Sequence, residues 1–170
     1  MFFKPGLFGV AFAVLSASIT HADPLMSEGQ KVLACIEASA EIHHLPSGLL
    51  LTLLRVEAGE LGKVSQNKNR TVDIGPMQIN DSWVHKIARH WGASDAETYR
   101  ALRDNFCANV AGGGWILRQT LDEAKGDIWE GVALYHSHTP VHKVRYLHQV
   151  LHHLHALQKE AQVSSRNSGS

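Results

Sequence analysis

Only two cysteines, Cys35 and Cys107, occur in 170 residues. They cannot make a four-cysteine structural zinc site, although histidines could complete a mixed one. Neither sign of charge is in excess, since 16 Lys+Arg are balanced by 16 Asp+Glu. A nucleic-acid partner would call for a basic surplus, and there is none. No apolar run reaches the roughly 20 residues that a membrane-spanning helix needs. There is no internal repeat and no linker long enough to separate two domains. Gly112-Gly113-Gly114 is not followed by the Lys-Ser/Thr pair of a phosphate-binding loop. Close helix packing explains that triplet better.

What is present starts with a leader. Met1–Ala22 reads as a secretory signal peptide: Lys4 is its positive end, Leu7–Ile19 its apolar stretch, and Thr20-His21-Ala22 its cleavage site. The rival reading is an uncleaved anchor, for which the apolar stretch is short. Cleavage removes one Lys and no acid, leaving 15 Lys+Arg against 16 Asp+Glu and a formal charge of −1. The mature chain, from Asp23, has 148 residues, the size of one domain. In an exported chain an even cysteine count suggests a disulfide; the plainer alternative is two separate buried thiols.

The pattern is almost wholly helical. Ser27 with Gln30 makes a capping box, followed by Val32, Leu33, Ile36 and Ala40 at helical spacing. Pro46 suits a first helical position. Gly48 to Glu57 is apolar nearly all round, which predicts a central, buried helix stopped by Gly59 and Gly62. Residues 62–80 predict a loop with a short β-hairpin. Further caps fall at Asn80 or Asp81, at Ser94 with Glu97, at Asp104, at Asp127 with Glu130, and at Thr139-Pro140. The last helix is expected to end near Leu157, making residues 23–157 the domain and 158–170 a polar, Ser-rich, disordered tail.

A carboxylate closing an apolar helix is an unusual placement. Burial disfavours its ionised form, so Glu57 can hold a proton near neutral pH, as a general acid must. Taken alone, its position reads more readily as an ordinary solvated residue at a fraying helix end. Its company changes the reading. Glu57-Ala58-Gly59, Asp73-Ile74-Gly75-Pro76-Met77-Gln78-Ile79-Asn80 and Ala133-Leu134-Tyr135-His136 occur in that order. Together they resemble the lysozyme-like lytic transglycosylases (SLT domain), whose pattern is Glu-Ser-Gly, Gly-Leu-Met-Gln-Ile and Ala-Tyr-Asn. The likeness spans roughly residues 30–155. Phe106-Cys107-Ala108-Asn109-Val110 with Gly114-Trp115-Ile116-Leu117, and Tyr135-His136-Ser137 with Thr139-Pro140, resemble the branch serving conjugation, type IV pilus and secretion machines. In that branch a cysteine of this helix often matches one in the first helix, as Cys107 and Cys35 do.

The resemblance implies a mainly α, lysozyme-like single domain in the periplasm of a Gram-negative bacterium. Its substrate would be peptidoglycan glycan strands and its partner an envelope-spanning machine, with no stable membrane insertion after signal cleavage. Glu57 would be the single catalytic acid/base, giving 1,6-anhydro-N-acetylmuramic ends. Gln78 would bind substrate, with Gly75 beside it in the motif. Met77 would line the cleft, although a buried Met is more often core. Tyr135 would orient Glu57 through its hydroxyl, and Tyr146 would be a cleft aromatic. Asp73 is the one acid placed as a second carboxylate; its plainer reading is a loop hydrogen-bonder.

Three departures from the family pattern bear on this. Ala58 replaces Ser and loses a hydroxyl, Pro76 replaces Leu and stiffens the loop, and His136 replaces Asn at a substrate contact. A hydrolytic muramidase and a non-catalytic wall-binding assembly factor are the rival functions. No cofactor is implied. His148, His152 and His155 share a helix face with His153 beside them, but read as a solvated face, not a metal site. Trp83, Trp91, Trp115 and Trp129 read as core residues, one of which could stack on a sugar.

Overall fold

A computed structural model describes residues 27–167; the signal-peptide reading of Met1–Ala22 lies outside them. The chain order is α1 (Glu28–Ile42), α2 (Ser47–Glu57), β1 (Val64–Gln66), β2 (Val72–Ile74), β3 (Ile79–Asn80), a 3-10 turn (Asp81–Trp83), α3 (Val84–Trp91), α4 (Asp95–Asp104), α5 (Phe106–Glu123), α6 (Ile128–His136) and α7 (Pro140–Asn167). This is the mainly helical, lysozyme-like architecture expected.

Local chemistry sets most helix ends. Ser27 and Gln30 close a full capping box at α1, and Ser94 with Glu97 does the same at α4. Asp127 accepts from the amides of Trp129 and Glu130 at the start of α6. Other ends differ from the sequence expectation. Pro46 is the cap of α2, one residue outside the helix. That helix is closed by Ala58 in the left-handed region (φ 48°), before the glycines expected to stop it. Asp104 ends α4 and pairs with Arg103, while Asn105 caps α5 by accepting from the Ala108 amide.

The expected hairpin is a three-stranded antiparallel sheet in the order β1-β2-β3. Ser65 faces Asp73, and Asp73 faces Asn80. The largest departure is α7, which continues past Leu157 to Asn167 in place of a disordered tail there. No Pro or Gly interrupts residues 141–167. A two-pronged pair from Arg55 to Glu160 (2.9 and 2.8 Å) holds the distal half of α7 to α2.

The core gathers around α5, which packs chiefly on α1 and α6. Each glycine of Gly112-Gly113-Gly114 faces a neighbour that leaves no room for a Cβ. Leu102 stands over Gly112, Met77 over Gly113 and Ser39 over Gly114. The triplet is therefore a packing device, as expected. Glycine in a helix costs about 1 kcal/mol relative to alanine, and burial of Leu102 and Met77 against the bare backbone offsets it. Ser39 Oγ donates to the Val110 carbonyl across the same contact (3.1 Å). Cys35 and Cys107 form a disulfide that joins α1 to the first turn of α5.

Candidate active site

Glu57 is placed by the packing of its own helix. Leu50 and Leu53 are fully buried, which fixes the rotation of α2 and points its last residue at α7. There Tyr146, 1% exposed, donates its hydroxyl to Glu57 Oε1 at 2.6 Å. Burial drives the Glu57 pKa up to about 7. The Tyr146 hydrogen bond pulls it down, and the Asp73 charge adds to the rise. Glu57 can therefore both give and take a proton near neutral pH.

A tight loop backs the carboxylate. Its four residues, Gly75-Pro76-Met77-Gln78, close with the Gln78 amide donating to the Gly75 carbonyl (3.0 Å). Pro76 takes the second position, where its fixed φ suits the turn. The loop is sewn to the end of α2 by Gly59, whose amide donates to the Pro76 carbonyl (3.1 Å). A Cβ on Gly59 would collide with the Gly75 carbonyl oxygen, so only glycine fits there.

The Gly75 amide donates to the Lys63 carbonyl (3.1 Å), and two side chains answer both backbone groups of Met77. Asn109, fully buried in α5, accepts from the Met77 amide (2.7 Å). Its Nδ2 donates to the carbonyls of Ile74 (2.9 Å) and Leu102 (2.8 Å). Tyr135 donates its hydroxyl to the Met77 carbonyl (3.0 Å). Leaving such buried groups unpaired would cost about 1–3 kcal/mol each.

A cleft of about 840 Å³ opens in front of Glu57. Asp73, Gln78, Tyr135 and His136 line it with Glu57, as does Trp83 among the tryptophans. Several expected roles shift. Tyr135 reaches the Met77 carbonyl, so the hydroxyl that touches Glu57 belongs to Tyr146. Met77 is fully buried against Gly113 and lines no part of the cleft. Gly75 is also buried; its φ of 63° and its contact with Asn109 reserve the position for glycine. Gln78 donates Nε2 to the Gly75 carbonyl (3.0 Å) while facing the cleft.

His136 lies flat on Tyr146, with ring centroids 4.5 Å apart and planes within 1°. Burial and the nearby His142 lower its basicity, while Asp73 works the other way. Asp73 accepts from Asn80 Nδ2 at 2.8 Å, the loop role that is its plainer reading. Its charge is still felt at Glu57, Tyr135 and His136.

The residue that sequence reasoning passed over is Asn109. Its signal was an amide in an apolar helix segment, three residues before the glycine triplet. His148, His152, His153 and His155 of α7 stand apart from the cleft; His152 and His153 meet edge to face at 5.6 Å. Among the described residues, no group of three or more His, Cys, Asp or Glu could hold a metal ion. No described helix is long and apolar enough to cross a membrane.

A protein-family model described as the transglycosylase SLT domain matches residues 34–145. That span runs from α1 into α7 and includes Glu57, the Gly75–Gln78 loop and Tyr135. No curated protein matches the chain.

Proposed function

The chain belongs to the transglycosylase SLT family, and from that premise we propose that Glu57 cleaves the β-1,4 bond between N-acetylmuramic acid and N-acetylglucosamine in peptidoglycan, leaving 1,6-anhydro-muramic ends. The observation that carries this reading is one buried carboxyl, with its pKa raised to about 7, held by Tyr146 at the floor of the cleft.

The protonated Glu57 gives its proton to the glycosidic oxygen as the bond from that oxygen to muramic C1 breaks. The acetamido carbonyl of the same sugar closes onto C1 and carries the developing positive charge. Glu57, now a carboxylate, takes the proton of the C6 hydroxyl. O6 then bonds to C1 and displaces the acetamido oxygen. One carboxylate acts twice, and no water is consumed. A group that must switch from acid to base works best with a pKa near the working pH. The Tyr146 hydroxyl steadies the carboxylate when it is charged.

A hydrolytic muramidase is the second reading, favoured by Asp73 in the same cleft. A hydrolase normally uses a second carboxylate as nucleophile or to activate water. The Asn80 hydrogen bond occupies one Asp73 oxygen, which supports the loop role instead. Product analysis of digested peptidoglycan separates the two: anhydro ends support the proposal, and reducing muramic ends sink it.

The biological setting is part of the proposal. Met1–Ala22 would direct the chain to the periplasm, and residues 23–157 would make up the catalytic domain. The motifs at 106–117 and 135–140 support service to an envelope-spanning secretion, conjugation or pilus machine. Local wall opening for such a machine would fail in a strain carrying Glu57→Gln, and a strain that kept normal assembly would remove this assignment.

A further inference from the structure

With histidines counted as neutral the chain carries no net charge, and on that count the cleft lining holds one cation, Lys68, against the carboxyls of Glu57 and Asp73. Four lining side chains are basic: Lys68, His136, His138 and His142. Two are acidic, and both are occupied: Glu57 by Tyr146 and Asp73 by Asn80. Two of the basic groups also have partners. His138 meets Glu123 at 3.0 Å, and His136 lies on Tyr146.

That leaves Lys68 and His142. Lys68 stands in the turn between β1 and β2, and His142 in the first turn of α7, so they come from the sheet side and the helix side of the cleft. Both are exposed, and no ion pair with a described carboxylate engages either. Their neighbours along the sheet side, Asn67, Asn69 and Thr71, are neutral.

A glycan strand running through this cleft is a chain of uncharged sugars. Its charge lies on the peptides attached to the muramic lactyl groups, which carry free carboxylates. Such stems branch sideways from the strand, and the exposed side chains of the cleft lining are the ones within their reach. An ammonium offers three donors, and an imidazole offers at least one ring N–H in either protonation state. Both can also donate to sugar hydroxyls, but a carboxylate adds the stronger, charge-assisted bond that an uncharged sugar lacks.

We infer that Lys68 and His142 form a carboxylate-recognising rim that selects glycan strands whose stem peptides keep their free carboxylates. The inference rests on the peptidoglycan reading above and adds to it the class of strand preferred.

The test compares soluble strands bearing native stems with the same strands after conversion of their stem carboxylates to neutral methylamides. Binding is measured by titration calorimetry on the Glu57→Gln chain, which leaves the strand uncut. Native strands are expected to bind about three- to tenfold more tightly at low salt, with the difference shrinking as salt is raised. Adding Lys68→Ala and His142→Ala should abolish the difference and leave the affinity for amidated strands unchanged. Equal affinity for the two substrates, no binding of either, or an equal loss on both in the triple variant would overturn the inference. Cleavage products are scored separately on the wild-type chain. An intact affinity difference without anhydro products would remove the proposed reaction and keep the rim.

Discussion

At the scale of single residues, the pKa of Glu57 ties function to stability. Its folded value of about 7 lies above the ordinary 4.5. Between those values the folded chain holds a proton that the unfolded chain has lost. The corresponding stability is fully present below about pH 4.5 and is lost as pH rises through about 7. Glu57→Gln removes that dependence. The variant should lose catalysis by about a thousandfold or more, yet be more stable than wild type by about 2 kcal/mol near pH 8. Thermal melts across that pH range check this; a variant less stable at high pH would show that Glu57 is not buried at a cost. Tyr146→Phe acts in the other direction on the carboxyl. The lost hydrogen bond had lowered the Glu57 pKa, so the alkaline limb of the activity profile should move to higher pH while the rate falls. An unmoved limb would mean that Tyr146 does not act through Glu57.

At the scale of elements, the Gly75–Gln78 loop depends on α5 more than on its own chain. Asn109 answers the Met77 amide in the loop, the Ile74 carbonyl just before it and the Leu102 carbonyl of α4. Asn109→Ala should destabilise the fold by about 3 kcal/mol and lower activity through the loop, as denaturant titration and a KM-against-kcat comparison would report. Gly113→Ala should cost about 1–3 kcal/mol, because its methyl must displace Met77. Helix ends were readable where a cap acts within one turn, as at Ser27, Ser94 and Asp127. Asp104 and Asn105 are adjacent and chemically alike; in the fold Asp104 is the last residue of α4 and pairs with Arg103, while Asn105 accepts from the Ala108 amide and caps α5. The strands are two or three residues long, too short for alternation to show; Asp73 faces Asn80 only once the sheet is assembled. Residues 158–167 of α7 are mostly polar, and the side chain that ties them to α2 is Arg55, more than a hundred positions before Glu160.

At the scale of the whole molecule, the site is made where helices distant in sequence converge. The motif order pointed to Glu57, Gln78 and His136, and the fold sets all three around one cleft. Which tyrosine reaches Glu57 was not readable, because Tyr135 and Tyr146 differ only in how α6 and α7 pack. The disulfide belongs to this scale too. It closes a separation of 72 residues, linking α1 to the helix that carries Asn109. On the chain-entropy view it contributes roughly 4 kcal/mol. Reduction should therefore lower the melting temperature by several degrees, with activity at low temperature retained; unchanged melting on reduction would remove the disulfide from the stability argument.

The central claim is that one carboxyl works as acid and then as base, with no water entering the reaction. Its most direct measurement is mass analysis of the soluble products released from purified peptidoglycan by the wild-type chain. Muropeptides ending in 1,6-anhydro-muramic acid, lighter by one water than hydrolytic products and absent with Glu57→Gln, are the expected result. Reducing muramic ends, or anhydro ends that persist in Glu57→Gln, would contradict it.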